Sequence, residues 1–234
     1  MKNIAIFATW TPIWWWSWLN ELLKNIESWK IKNVWKIHIV TNYPNGWVVR
    51  ISNQYSNIVN SLLINENFPK REKSREFSEE NNKKIVEFYQ NIIQTYNLDY
   101  IFLSGWMKLV LGVEPQKIVN IHPWPVSWDY KGLYGKNLYQ KLLDDFNNWK
   151  IKQSCITMHY VTEKYDDWPI IFQYPVEIKE NDTIDTLQER TKKTEHNWQY
   201  KITNMIINWE IFWDWKNKIK FPENYKYKKV GVLQ

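Results

Sequence analysis

Asn120, Ile121, His122 and Pro123 close a short apolar stretch, Lys117 to Ile121, that reads as a buried strand. Alternation along a strand sends Asn120 and His122 to the same side. A donating amide beside an imidazole can hold a developing oxyanion and exchange a proton with an attacking group. A histidine in a lone Asn-x-His is more often structural, so its partners matter. Asp166, Asp167, Trp168 and Pro169 form a turn between two apolar stretches. A carboxylate from that turn would orient His122 and favour its charged form, although an isolated turn acid is commonly just solvated. The third feature is the segment Thr9 to Asn20, which joins the first apolar run to an amphipathic helix.

That segment carries Trp10, Trp14, Trp15, Trp16 and Trp18, and the chain as a whole holds 17 Trp against 6 Gly. An ordinary domain is about 7% glycine, so the two counts look exchanged. The tryptophans also crowd where backbone geometry asks for glycine, as at Trp124, Trp128 and Trp168 beside prolines or acidic turn residues. Most of them read as glycines of the living protein, written as Trp because a UGA codon reassigned to glycine was translated under another code. The Asn, Lys and Ile richness of an AT-rich gene agrees. Trp106, Trp198 and Trp213 sit in contexts suited to a large aromatic and read as true tryptophans. With glycine restored, the loop becomes a phosphate cradle: open backbone N–H groups, a helix N-terminus, and Ser17 as N-cap and hydroxyl donor. It has neither the lysine of a P-loop nor the spacing of a dinucleotide fingerprint.

The 234 residues are enough for one well-cored domain. A domain over 1–215 with a tail over 216–234 is expected. No stretch has membrane-spanning length, and residues 4–9 read as a first strand and not as a signal peptide, which points to the cytoplasm. The single Cys155 excludes an internal disulfide framework and reads as a small buried hydrophobe, and the four histidines show no metal-ligand spacing. A net charge of +6 spread along the chain suits a solvated surface better than a nucleic-acid or membrane partner.

The elements that must position these groups alternate between strand and helix patterns, which predicts an α/β fold: a single Rossmann-like domain with a mostly parallel central sheet and helices on both faces. Strands are expected over Asn3–Thr9, Val34–Thr41, Asp99–Ser104 and Lys117–Ile121, with Gln153–Thr162 and Ile170–Val176 as an antiparallel pair. Helices are expected over Ser17–Ile26, Val48–Leu63, Glu79–Tyr96, Leu133–Phe146 and Thr183–Ile207. A turn at Tyr43–Trp47, a loop from Lys70 and a terminal strand over Glu210–Trp213 complete the reading. His38 and His159 read as structural strand histidines.

Taken in order, the Gly-rich first loop, Leu103-Ser104-Gly105-Trp106-Met107-Lys108, Asn120-Ile121-His122-Pro123, Cys155 to Thr162 running into Asp166–Pro169, and Glu195-His196 resemble the phosphoribosylglycinamide formyltransferase family. The resemblance covers Asn3 to about Trp215. It implies transfer of a formyl group from 10-formyltetrahydrofolate, a co-substrate, to the amine of glycinamide ribonucleotide in purine biosynthesis, without a metal. Asn120, His122 and Asp166 would be catalytic. Ser17 with the backbone of Trp16 and Trp18 would grip the phosphate, and Glu195 would hold the substrate amine. Met107, Lys108, Leu109 and Val110 would line the folate pocket together with Asn120, and Arg75 would be a further contact. The run Pro123 to Gly132 and Asp167 within the turn depart from the family pattern. The implied partners are small molecules, not nucleic acid or membrane, and the implied state is a monomer or homodimer. Two other readings compete: a formyltransferase acting on a sugar-nucleotide amine, for which a further domain would be expected, and an inactive Trp-rich binding module whose exposed rings stack on ligands.

Overall fold

A computed structural model describes residues 1–9, 16–69, 78–125, 128–130, 132–163 and 169–226, with Trp16, Ser17 and Trp128 described in their backbone alone. Trp10, Trp14, Trp15, Arg75, Asp166, Asp167 and Trp168 lie outside the described residues.

The strands are β1 (Lys2–Ala8), β2 (Val34–Thr41), β3 (Val59–Ile64), β4 (Tyr100–Ser104), β5 (Ile118–His122), β6 (Gln153–Tyr160) and β7 (Ile170–Glu177). They form one seven-stranded sheet in the order β3-β2-β1-β4-β5-β6-β7. Every pair from β3 to β5 is parallel, and β5–β6 and β6–β7 are antiparallel. The helices are α1 (Trp16–Glu27), α2 (Trp47–Gln54), α3 (Glu79–Tyr96), α4 (Gly135–Asn147) and α5 (Ile184–Ile207).

Period-two alternation divides the core. Ile4 and Ile6 of β1 and Phe102 of β4 pack beneath Leu19 and Leu22 of α1, Leu138 and Leu142 of α4 and Ile202 and Ile206 of α5. On the other face Ala5, Phe7, Ile101 and Leu103 meet Ile85, Tyr89 and Ile92 of α3. Helices therefore cover both faces, as parallel strands require. Ser78 caps α3 by accepting the Asn81 N–H at 3.2 Å, and Thr183 with Thr186 forms a reciprocal capping box on α5.

Two expected elements differ. Val48–Leu63 is not one helix: α2 ends at Gln54, a turn follows, and β3 begins at Val59. Tyr55 to Ile58 breaks the helical period. The apolar run after it pairs with β2, where the Asn60 side chain accepts the Ile37 N–H at 2.8 Å. Glu210–Trp213 is not a sheet strand. Among the described residues Phe212 makes only an isolated bridge to Lys220, through backbone bonds of 3.1 and 2.8 Å. The residues beyond fold back on the core, and the Tyr225 hydroxyl donates to the Ile171 carbonyl of edge strand β7 at 3.0 Å.

Helices α1, α4 and α5 end in the same way. After α1 the Trp29 N–H meets the Ile26 carbonyl at 3.0 Å and the Lys30 N–H meets that of Asn25 at 2.9 Å. Trp149 with Lys150 after α4, and Trp209 with Glu210 after α5, repeat this nested pair. It is the Schellman closure, which requires a left-handed residue at its centre, and Trp29, Trp149 and Trp209 have φ of 59°, 59° and 62°. After α3 the same place is held by Asn97 at φ 47°. No described helix is long and apolar enough to cross a membrane.

Candidate active site

β1, β4 and β5 run parallel, so the segments leaving their carboxyl ends open at one edge of the sheet. The chain winds one way from β1 to β3 and then continues at β4 on the other side of β1. Open α/β sheets bind ligands at such a reversal.

On β5, Val119 and Ile121 enter the core beneath α1, α4 and α5, which leaves Asn120 and His122 on the α3 face. The Asn120 Nδ2 lies 3.2 Å from His122 Nε2. An amide nitrogen only donates, so the imidazole accepts there and carries its proton on Nδ1. Register places His159 of β6 opposite Asn120, and the His122 and His159 rings stack at 5.0 Å and 8°. The Trp124 ring lies 4.7 Å from that of His122. Burial holds the His122 pKa well below the ordinary imidazole range, and the His159 ring pushes it the same way. Burial also brings His159 down to about 4, opposed by the Tyr160 carbonyl that accepts its Nδ1–H at 2.8 Å. These described surroundings favour neutral His122, so a charged imidazolium needs a carboxylate partner.

Behind this pair, Thr157 stands opposite His122 in the β5–β6 register. Its hydroxyl donates to the Trp124 carbonyl at 3.0 Å and accepts from Gln173 Nε2 at 3.1 Å. The turn that follows His122 is thereby tied across β6 to β7.

A cleft between α1, α4 and α5 is lined by Trp18, Pro123, Trp124, Tyr139, Lys192 and Glu195. Glu195 is 2% exposed. Its Oε2 accepts the Trp18 indole N–H at 2.6 Å, while Oε1 has no partner among the described residues. Burial raises its pKa well above the usual carboxylate value, against the weaker pull of Trp18 and Lys192. Glu195 and the Asn120–His122 pair lie on opposite faces of the sheet, and Pro123 with Trp124 links them as wall of the cleft and continuation of β5.

The chain leaves β4 through Gly105 at φ 69° and places Met107 half-exposed and Val110 buried. Leu109 packs partly buried on the α3 core, and the Lys108 ammonium lies 5.8 Å from the Phe68 ring. The segment is anchored by a residue that sequence reasoning passed over. Tyr89 of α3 is fully buried; its hydroxyl accepts the Trp106 indole N–H at 2.7 Å and donates to the Leu109 carbonyl at 3.1 Å. Thr157 and Gln173 were also passed over. Their signal was a polar side chain inside an apolar strand, since a buried hydroxyl or amide needs partners.

Of the expected site residues, Asn120 is brought to His122 and Trp18 to Glu195. Asp166 and Arg75 lie outside the described residues, as do the side chains of Trp16 and Ser17. Ser17 is not an N-cap, because α1 already begins at Trp16. Its amide remains among the first-turn N–H groups without an intrahelical acceptor, which suits an anion equally. His38, bonded to Ser61 Oγ at 2.7 Å, and Cys155, whose thiol burial pushes up to about 12, are structural. Among the described residues no three His, Cys, Asp or Glu side chains gather to hold a metal ion.

Comparison with known proteins places this geometry. Residues 2–203 match the formyl transferase family. Phosphoribosylglycinamide formyltransferase of Bacillus subtilis is 32% identical over 127 residues, covering 51% of this chain and 61% of that protein. The enzyme of the same name from Haemophilus influenzae is 31% identical over 151 residues, covering 63% and 64%. The chloroplastic one of Arabidopsis thaliana matches over 42% of its length, so the chain spans from about two fifths to just under two thirds of these relatives. The crystal structure of glycinamide ribonucleotide transformylase 1 from Symbiobacterium toebii superposes with a TM-score of 0.70 at 19% identity, covering 95% of both chains. A formyltetrahydrofolate deformylase from Pseudomonas putida superposes at 0.66 with 14% identity, covering 93% of this chain and 69% of that one. Matched by the family over residues 2–203, and sharing the fold of these solved structures, the chain belongs to the formyl transferase family.

Proposed function

We propose that this protein transfers the formyl group of 10-formyltetrahydrofolate to the amine of 5′-phosphoribosylglycinamide, a step of purine biosynthesis. The observation that carries the reading is the Asn120–His122 pair at the carboxyl end of β5, held at 3.2 Å beside the segment leaving β4. The relatives' names supply the substrate. The substrate amine attacks the formyl carbon. Asn120 turns its amide N–H from His122 to the developing oxyanion, and His122, charged with the help of Asp166, supports the same oxygen and exchanges the proton. Collapse breaks the bond to the folate nitrogen, which takes up a proton as the new amide nitrogen loses one. The first-turn amides of α1, with Ser17, grip the ribose phosphate. Glu195 receives the polar end of the aminated substrate, and Met107 to Val110 line the folate site with Arg75 as a further contact. The reaction takes place in the cytoplasm between small molecules, in a monomer or homodimer.

The test follows the formyl group. Purified protein with 10-formyltetrahydrofolate should yield formylglycinamide ribonucleotide and tetrahydrofolate in equal amounts only when the ribonucleotide is present. Release of formate irrespective of the ribonucleotide would refute the reading in favour of hydrolysis.

A further inference from the structure

We propose that the tryptophans at 29, 149, 209 and 215 are decoded as glycine in the protein the cell makes. Six described residues other than glycine have left-handed φ, and they are these four, at 58° to 62°, with Asn33 and Asn97. Asparagine is the side chain that tolerates this region, whereas a bulky one is an outlier there. Tryptophan supplies all the rest. Three of the four occupy one position, the residue that closes a Schellman motif behind α1, α4 or α5, where glycine is the usual occupant. The fourth lies in a turn where Asp214 Oδ1 accepts the Lys216 and Asn217 N–H groups at 3.1 and 2.8 Å.

None of these indoles enters the core, although the Trp209 ring stacks on Phe212 at 5.1 Å. Trp29, Trp149, Trp209 and Trp215 are 76%, 77%, 55% and 54% exposed. The tryptophans with a steric purpose behave differently. Trp106 meets Phe7 and Phe68 edge-on, Trp198 packs on Phe172 and Tyr174, and Trp213 packs on Tyr160; none of the three has left-handed φ. These seven tryptophans thus fall into two sets, four exposed with left-handed φ and three without it that pack on aromatic rings, as expected of two codons written as one residue.

The inference extends to the cleft, where Trp18 and Trp124 are buried without left-handed φ and the extension rests on the proposed function instead of on backbone angle. The Trp18 indole lines the cleft beside Glu195 and takes its Oε2, and Trp124 lines the same cleft. Glycine at 18 and 124 opens that volume and frees a buried carboxylate for a ligand bearing an ammonium or hydroxyl group.

Peptide mass spectrometry of the protein purified from the organism that carries the gene tests both parts without reference to activity. Peptides spanning 29, 149, 209 and 215 should be lighter by the difference between tryptophan and glycine, with their codons UGA, while 106, 198 and 213 keep the indole on UGG. Tryptophan in the four turn peptides would overturn the proposal. Glycine there with tryptophan retained at 18 and 124 would overturn its extension to the cleft, leaving the functional reading to its own assay.

Discussion

Replacing Trp29, Trp149, Trp209 and Trp215 by glycine should stabilise the tryptophan-bearing chain. The left-handed conformation costs an L-residue roughly 1–2 kcal/mol. Glycine gives back part of this, roughly 0.5–1 kcal/mol, through the greater freedom of its unfolded chain. The net gain is therefore about 0.5–1 kcal/mol per site. The exposed indoles at 29 and 149 forfeit little burial on removal. Trp209 gives the smallest gain, because its ring stacks on Phe212 at 5.1 Å and carries the Lys2 ammonium at 5.2 Å. The four together amount to roughly 2–4 kcal/mol, and at about 2–4 °C per kcal/mol for a chain of this size Tm should rise by roughly 4–16 °C. Differential scanning calorimetry measures it, with urea unfolding as a check. Trp106→Gly is the control of opposite sign: that ring is 5% exposed, and emptying such a site costs about 3–5 kcal/mol or more. A four-site variant that melts below the parent would refute the reasoning, since it would show the left-handed turns to be indifferent to a side chain.

Other perturbations reach the site and its supports. His122→Ala should lower kcat by roughly 10²–10⁴-fold while leaving the circular dichroism spectrum unchanged; a parental rate would remove His122 from the chemistry. Tyr89→Phe deletes the hydroxyl that holds Trp106 and Leu109 but keeps the ring, so KM for the formyl donor should rise with kcat nearly unchanged, whereas an unaltered KM would make that bond purely structural. Glu195→Gln should raise Tm at pH 8 and weaken ribonucleotide binding. Burial raises the folded pKa of Glu195, so its stability penalty is absent below the unfolded value near 4.5 and grows as pH rises, and a Tm gain independent of pH would contradict this. Asp182, which receives both Arg190 nitrogens at 2.6 and 2.8 Å, is held down at about 2. Asp182→Asn should therefore cost about 1–2 kcal/mol at pH 7, a loss that fades as pH falls from 4 towards 2, to be read in urea titrations at several pH values.

The legible parts of this chain were those whose signal is local. α3 was readable because its apolar residues keep helical spacing after a polar, charged loop, and the Asn120–His122 pair because two residues on one strand need only alternation to meet. β3 was misread because its apolar residues follow α2 after only a brief turn, and what makes them a strand is β2, a partner outside the window. Phe212 fails to extend the sheet for a similar reason: its one bridge among the described residues is to Lys220. The Tyr89 anchor joins its hydroxyl to an indole 17 and a backbone carbonyl 20 positions away, and the Gln173–Thr157–Trp124 chain spans gaps of 16 and 33. Such meetings are settled by how strands are ordered, which no periodicity records.

Strand β5 is five residues long and gripped from both sides, in parallel by β4 and in antiparallel by β6. Deleting one residue within it would exchange inward and outward side chains and send the amide and imidazole into the wrong half of the molecule. Residues 105–117, by contrast, connect two already locked strands and are pinned at buried Trp106, Val110 and Val113 and at the Leu109 carbonyl, leaving exposed side chains such as Met107 free to vary without disturbing the strands. Under the proposed function, a change in donor preference would fall on the exposed side chains of that connection, while the reaction would stay tied to a register that tolerates no drift.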